Sequence, residues 1–369
     1  MSPMSPVSPM SPMSPVNPSG ATLRRRPLLL ALLAAPVAWA LPPRTLQFPR
    51  DFGSHPDLRT EWWYITGHAR SGTREFGFQL TFFRSRVDAT QSMQSAFAAK
   101  QLVFAHAAVT DLQNRKLLHD QRIARAGFGV AQASETDTAV RLRDWSLARA
   151  ADGSYQARLP TGDFGLALDF TPNQPVLLQG NAGLSRKGPQ PEQASYYYSE
   201  PQLATRGRIT LQGQAFEVEG TAWLDHEWSE ALLHPEAVGW DWIGMNLDDG
   251  SALTAFHLRR ADGSALWAGG SFRPRDGAAR TFGADEVRFE AQARWTSPRT
   301  RAVYPTHWQV DTPAGRFAVR ALLADQELDS RASTGSVYWE GASELLDAGG
   351  RRVGRGYLEM TGYVARLRL

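Results

Sequence analysis

The sequence predicts an all-β protein built from two antiparallel β-domains, and three observations carry that expectation. First, from Leu46 onward, aromatic and β-branched residues alternate with polar ones in short runs. These include EFGFQLTFFRSR (75–86), DFGLALDF (163–170), AFEVEGTAWL (215–224), SALTAFHLRR (251–260), RFAVRALL (316–323) and GYLEMTGYVARLRL (356–369). A period of two sends successive side chains to opposite faces of a strand. Second, Ser71-Gly72, Asp152-Gly153, Asp249-Gly250 and Asp262-Gly263 stand between such runs, where hairpin turns belong. Third, sustained 3.6-residue periodicity is nearly missing; only TQSMQSAFAAKQL (89–101) has the spacing of one short helix.

The chain has 369 residues, too many for one core of ordinary size. WYITGHARSGTREFGFQLTFFR (63–84) and WIGMNLDDGSALTAFHLRR (242–260) both read as strand, polar turn, strand, arginine, and each follows a second tryptophan, Trp62 or Trp240. This weak repeat is spaced for two similar domains. The expected organisation is a tail and export signal at 1–40, a first domain at 41–205 and a second at 206–369. GNAGLSRKGPQPEQAS (180–195) is read as a loop or interdomain link. Strands in this number hide their edges by closing into a barrel or sandwich.

Residues 1–20 repeat Met-Ser-Pro and Val-Ser-Pro and cannot build a core. Arg24 to Arg26, the apolar run Leu28 to Ala40 and the ending Ala38-Trp39-Ala40 form the three parts of a secretory signal, cleaved near Ala40. The run is shorter than the roughly 20 residues of a membrane span. A soluble periplasmic or secreted protein is expected. The sequence has no cysteine, so such a protein must rely on its core and not on disulfides. The formal charge of +3 comes from the signal region. Without its three arginines, 37 basic residues face 37 acidic ones. A neutral folded part argues against nucleic acid as a partner.

The residues with chemistry fall in a few motifs. In EWWY (61–64), Trp62 and Tyr64 share one strand face and Glu61 and Trp63 the other. The rings either fill a core or wall a cavity with Glu61 at its mouth. His106, in FAHAAVTD, is either a satisfied core histidine or a ligand contact. Tyr197, in SYYYS (195–199), either lines a cavity or pins a loop. In TAWLDHEWSE (221–230), Asp225 and Glu227 share one face, while His226 and Trp228 share the other. In GWDW (239–242), Trp240 and Trp242 oppose Asp241, and His257 follows on the next strand. A metal site is disfavoured: the second histidine of HExxH is missing, and consecutive strand residues cannot all face one ion. Two readings stay open. One is a general acid walled by indoles that protonates an apolar alkene, with His226 or His257 donating and Asp225 or Glu227 orienting. The other is a structural cluster paired to arginines at a barrel rim. Glu340, in YWEG (338–341), and Glu359, in GYLEMTGY (356–363), sit among aromatics on expected strands and must be paired or face water. No G-x-S-x-G, cysteine nucleophile, P-loop or dinucleotide fingerprint is present.

Taken in order, EWWYITGHA, FAHAAVTD, ASYYYSEPQL, GTAWLDHEWS, GWDWIGMNLDDGSALTAFHLR, VYWEGASEL and GYLEMTGY resemble the AttH-like branch of the carotenoid 1,2-hydratase (hydroxyneurosporene synthase) superfamily, often labelled "predicted secreted hydrolase". The resemblance covers about residues 46–369. It implies two lipocalin-like barrels packed together, and a hydrophobic isoprenoid- or lipid-like small molecule as ligand. It also implies cofactor-free hydration of an alkene in the hydratase members. Neighbouring transporter genes in this branch imply an ABC transporter permease as a second kind of partner, with a non-catalytic accessory role. The hydratase His-x-Trp pair falls on His226 and Trp228. The strand expected to carry a Tyr and an Asp offers Phe256 and His257 instead.

Overall fold

The computed structural model describes residues 40–231 and 233–367. The tail and export signal expected at 1–40 lie, up to residue 39, outside the described residues. No helix among the described residues is long and apolar enough to cross a membrane. Twenty-three strands and two single-turn 3-10 helices make up the regular structure among the described residues, all their strand pairs being antiparallel.

The first sheet opens with β1 (Thr60–Ser71), β2 (Arg74–Arg86), β3 (Gln101–Asp111) and β4 (Lys116–Arg125). Five shorter strands follow: β5 (Ala131–Ala133), β6 (Ala139–Leu142), β7 (Trp145–Arg149), β8 (Tyr155–Pro160) and β9 (Phe164–Thr171). The short β10 (Leu177–Leu178) and β11 (Leu184–Arg186) lead to two long strands, β12 (Ala194–Leu211) and β13 (Gln214–Ala231). Their order is β4-β3-β2-β1-β13-β12-β9-β8-β7-β6-β5, with β10 and β11 also on β12. The sheet curls until β5 and β6 come against β3 and β4, a nearly closed barrel.

The second sheet holds β14 (Gly239–Leu247), β15 (Ala252–Arg259), β16 (Ala265–Arg273), β17 (Arg280–Phe282) and β18 (Arg288–Thr296). It continues with β19 (Val303–Thr312), β20 (Gly315–Ala321), β21 (Glu327–Ser330), β22 (Ser336–Leu346) and β23 (Arg352–Met360). Its order is β17-β16-β15-β14-β23-β22-β20-β19-β18, with β21 on β22. The plan repeats: in each sheet the first strand of a meander pairs with the last long strand, β1 with β13 and β14 with β23. The fold is therefore all-β, two lipocalin-like barrels in one chain. The border expected at 205/206 lies inside β12; the change of sheet falls between Ala231 and Gly239.

The strands form where alternation dictates. In β9, Phe164, Leu166, Leu168 and Phe170 are buried and their neighbours are not. Gly72 and Gly250 hold φ of +59° and +88° in their hairpin turns, the left-handed region where a Cβ is disfavoured. Alternation gives way to continuous burial in Ala222–Ser229 of β13 and in all of β15. A strand buried throughout is covered on both faces. One face lies on its own barrel core, and the other meets the opposite sheet through Tyr64, Trp223, Trp242, Phe256 and Tyr357.

Two expectations are corrected. Residues 89–101 contain no α-helix: a 3-10 turn at Asp88–Thr90 leads into a loop. Thr90 donates to the carbonyl of Ala99 (2.8 Å) and Gln91 to that of Lys100 (2.7 Å), while Met93 and Phe97 have no core to pack on and stay exposed. Residues 180–195 are not a link between domains. They form β11 and turns that return along β12, so the segment belongs to the first sheet.

Candidate functional site

Between the two sheets lies a cavity of about 290 Å³, near the lower end of the roughly 300–1,000 Å³ usual for small-molecule sites. Trp62 and Tyr64 of β1, Phe83 of β2, Phe104 and His106 of β3, Trp240 and Trp242 of β14, and Phe256 of β15 wall it. All occupy alternate positions, so the period-2 pattern that drives one set of residues into the barrel cores delivers this set to the cavity. Asp225 and Glu227 of β13, Glu340 of β22, Glu359 of β23, Tyr197 of β12 and Lys187 supply the polar groups.

Four carboxyl groups in an aromatic cavity carry an electrostatic conflict. Burial pushes Asp225 up to about 7 even though it accepts hydrogen bonds from Tyr197 (2.7 Å), Ser199 (2.5 Å) and Trp223 Nε1 (2.7 Å). Glu227 is better supplied: Lys187 Nζ lies 3.0 Å from it, and the Ser195 hydroxyl donates to it. The Lys187 ammonium also sits 4.6 Å from the Tyr197 ring centre and 4.3 Å from that of Phe256. Glu340 and Glu359 stand directly opposite each other on β22 and β23. Burial, and then repulsion from Glu359, raise Glu340 well above the usual carboxylate range. Burial raises Glu359 to about 7, against a hydrogen bond from Trp240 Nε1 at 3.1 Å. Two facing carboxyls in such surroundings resist ionising together, which favours the protonated form on the pair. The Tyr64 hydroxyl is fully buried beside Glu340, and burial followed by that carboxylate raises it far above its ordinary value. His106 hydrogen-bonds with Tyr338 (2.7 Å) and Ser333 (2.8 Å); burial lowers it to about 3, so the ring is neutral.

The histidine of TAWLDHEWSE faces the other way. His226 and Trp228 point into the first barrel, where a buried hydrogen-bonded chain runs from Tyr198 to His226 (3.1 Å), Glu61 (3.0 Å), His55 (2.8 Å) and Asp51 (2.9 Å). Arg84 Nε lies 2.8 Å from the other oxygen of Glu61. Burial works to raise Glu61, but the hydrogen bonds to His226 and His55 and the Arg84 charge prevail and hold it well below the usual range. Burial lowers His226 to about 4. His55, Glu61 and His226 bring three ligand-type atoms within 4.8 Å of one another, a grouping the sequence did not suggest. Arg84 and Ser54 already engage this carboxylate, which favours an ion-pair network over a metal. Asp241 and His257 likewise point into the second barrel: His257 Nε2 lies 2.5 Å from Asp241, Arg259 Nε 2.7 Å, and the Tyr363 hydroxyl donates to the same carboxylate at 2.9 Å.

The structure thus splits the sequence candidates into two sets. Asp225, Glu227, Glu340, Glu359, Trp62, Tyr64, His106, Tyr197, Trp240 and Trp242 meet around the cavity. Glu61, His226 and Trp228 lie in the first barrel, and Asp241 and His257 in the second. Sequence reasoning missed Lys187, His55, Arg84 and the serines at 195 and 199. The serines were accessible, since 195, 197 and 199 share one strand face; Lys187 stood in a Gly- and Pro-rich segment with no periodicity to orient it.

Comparison with known proteins places this arrangement. A family model described as AttH-like matches residues 39–363. The crystal structure of a Nitrosomonas europaea protein assigned as AttH is 49% identical, with a TM-score of 0.82, covering 88% of this chain and 99% of its own. Kievitone hydratase from Nectria haematococca is 12% identical, TM-score 0.68, over 87% of this chain and 94% of its own. CghA with Sch210972 is 13% identical, TM-score 0.52, over 83% of this chain and 88% of its own. At those identities the last two share the fold. No curated protein matches the sequence.

Proposed function

The chain belongs to the AttH-like family, and from that premise we propose that it takes a hydrophobic, isoprenoid- or lipid-like small molecule into the cavity between its barrels and adds water to a double bond by acid catalysis. The observation that carries the reading is the Glu340–Glu359 pair: two carboxyls, one buried and one half-buried, facing each other inside aromatic walls. The carboxyl that holds the proton gives it to one alkene carbon, forming a C–H bond as the π bond opens. The faces of Trp240 and Trp242 stabilise the cation left on the other carbon. Water adds there, and its surplus proton returns to the carboxylate, so no cofactor is consumed. Lys187 fixes Glu227 and, with Tyr197, keeps the cavity polar at one end. The acid role assigned to His226 or His257 moves to these carboxyls, because both histidines point into barrel cores.

The run Arg24 to Ala40, read as an export signal cleaved near Ala40, supports a periplasmic or secreted location, which cell fractionation tests. The reaction is tested by incubating the purified protein with acyclic isoprenoids in ¹⁸O-labelled water, after mass spectrometry of whatever it carries from its host. Incorporation of label that Glu340→Gln and Glu359→Gln abolish, with ligand binding retained, supports the reading. Binding without incorporation across alkene substrates makes the protein a carrier, the role an accessory of an ABC transporter would play. Turnover that survives in the Glu340→Gln/Glu359→Gln double variant overturns the assigned acid.

A further inference from the structure

Seven large hydrophobic residues are exposed among the described residues, and three of them gather at one corner: Phe97, Ile123 and Phe128. Phe97, in the β2–β3 loop, is 77% exposed, and Phe128, in the turn after β4, is 60% exposed. Their rings stack on each other with centres 5.5 Å apart and planes 14° off parallel. Two such rings displayed to solvent call for a covering partner.

The display is built. Arg125 lies 4.1 Å above the Phe128 ring centre and donates to the carbonyl of Phe97 at 2.8 Å, tying the two loops together. Phe128 holds φ +55°, the left-handed region where glycine is the usual occupant, so the backbone accepts a strained conformation to present an aromatic ring. The surroundings are cationic. Segments 91–101 and 121–132 contain Lys100, Arg122 and Arg125 and no acidic residue. Arg141 donates to the carbonyl of Gly129 beside the Phe128 turn. Among the described residues, Arg122 pairs with Asp144, while Lys100, Arg125 and Arg141 have no carboxylate at ion-pair distance.

The corner also continues the wall of the cavity. On β3 and β4, Phe104 opposes Ile123 and Leu102 opposes Arg125. Phe104, Ile123 and Leu102 line the cavity, and Arg125, two residues beyond Ile123 on the same face, carries the stacked rings. We propose that this corner docks the protein on an anionic lipid bilayer, with Phe97 and Phe128 inserted at the interface and Lys100, Arg125 and Arg141 over the headgroups, so that the cavity wall meets the membrane. Aromatic side chains settle at the headgroup level, and unpaired basic residues are drawn to anionic lipid. A protein partner has less support, since the unpaired charges of the patch, Lys100, Arg125 and Arg141, are all of one sign.

The test is co-sedimentation of the purified full chain with vesicles of phosphatidylglycerol and phosphatidylcholine, and with phosphatidylcholine alone. Phe97→Asp/Phe128→Asp and Arg125→Glu/Arg141→Glu are compared in the same chain, so any contribution of the N-terminal segment cancels. The phenylalanines are exposed and the arginines half-buried, and thermal unfolding confirms that each variant is folded. The wild type binds the anionic vesicles at least tenfold more tightly than the neutral ones. Each basic residue contributes roughly fivefold, so the arginine variant loses at least about tenfold on anionic vesicles and keeps its weak binding to neutral ones. The phenylalanine variant loses binding to both. Equal partitioning of wild type and phenylalanine variant overturns the proposal. So does a variant that changes only self-association by light scattering, which assigns the corner to a second copy of the chain. Binding of a hydrophobic fluorescent probe in the cavity, measured on the same variants, keeps this outcome separate from the fate of the hydration reading.

Discussion

Replacing Glu359 with Gln reports directly on the carboxyl pair. Glu359 is half-buried in the cavity wall, and desolvation there raises it to about 7 against 4.5 for an ordinary glutamate. The folded state therefore holds a proton that the unfolded chain releases between pH 4.5 and 7. Each pH unit in that window costs about 1.4 kcal/mol of folding free energy per such group. A raised carboxyl value contributes stability that is complete below pH 4.5 and lost as pH rises through 7. Over the whole window the loss reaches about 3 kcal/mol, an upper figure because the two carboxyls titrate as a pair. Glutamine matches the neutral acid in shape, can still accept from Trp240 Nε1, and cannot ionise. Urea denaturation should show Glu359→Gln within about 1 kcal/mol of wild type at pH 5, and more stable by about 2–3 kcal/mol at pH 8. The difference between the two pH values is what matters, since any packing cost of the substitution appears at both. Equal shifts at pH 5 and pH 8 would refute the protonated pair. A variant less stable at pH 8 than at pH 5 relative to wild type would mean that Glu359 is ionised and paired in the native protein.

Three further outcomes follow from other parts of the structure. Arg84→Met leaves Glu61 buried without its cation and should cost about 3–5 kcal/mol in urea unfolding; a cost near zero would show that the His55 and His226 bonds suffice alone. His226 is held at about 4, so stability present above pH 6.5 is lost as pH falls toward 4; His226→Asn should flatten that acid limb in a pH series of melts. At Gly244 an added Cβ would lie 2.3 Å from the end of the Trp242 indole. Gly244→Ala should therefore displace that ring, destabilise the protein by about 1–3 kcal/mol and weaken probe binding in the cavity; unchanged probe affinity would remove Trp242 from the binding wall.

Much of this was legible in the chain, and the limit has a physical cause. The period of two gave the strands, and it also sorted Asp225 and Glu227 from His226 and Trp228, and Trp240 and Trp242 from Asp241, as the structure has them. What alternation cannot say is which face belongs to a core and which to a cavity. That depends on what covers the sheet, and β13 is covered on both sides. The partners of Glu61 show a second limit. Arg84 is its cross-strand neighbour on β2, and His226 comes from a strand 165 positions later; no local pattern announces a contact made across that length. Residues 180–195 show a third limit: their composition marked a loop but hid where that loop returns.

The repeated plan of the two sheets explains why the carboxyls converge. Asp225 on β13 lies opposite Tyr64 on β1, and Glu359 on β23 lies opposite Trp242 on β14. β13 and β23 hold the same place in their sheets, so the two barrels present equivalent faces that meet at the cavity, each bringing an acid and an aromatic. Inside each barrel the opposite face carries another acid, Glu61 or Asp241, and there a histidine and an arginine satisfy it. The contrast lies in supply: Glu61 and Asp241 each have an arginine beside them, whereas among Asp225, Glu340 and Glu359 no lysine or arginine lies within ion-pair distance among the described residues. Arg84 and Arg259 hold the charge of Glu61 and Asp241 in place. The scarcity of cations in the cavity keeps protons on carboxyl groups, which is the condition that acid chemistry on an apolar ligand requires.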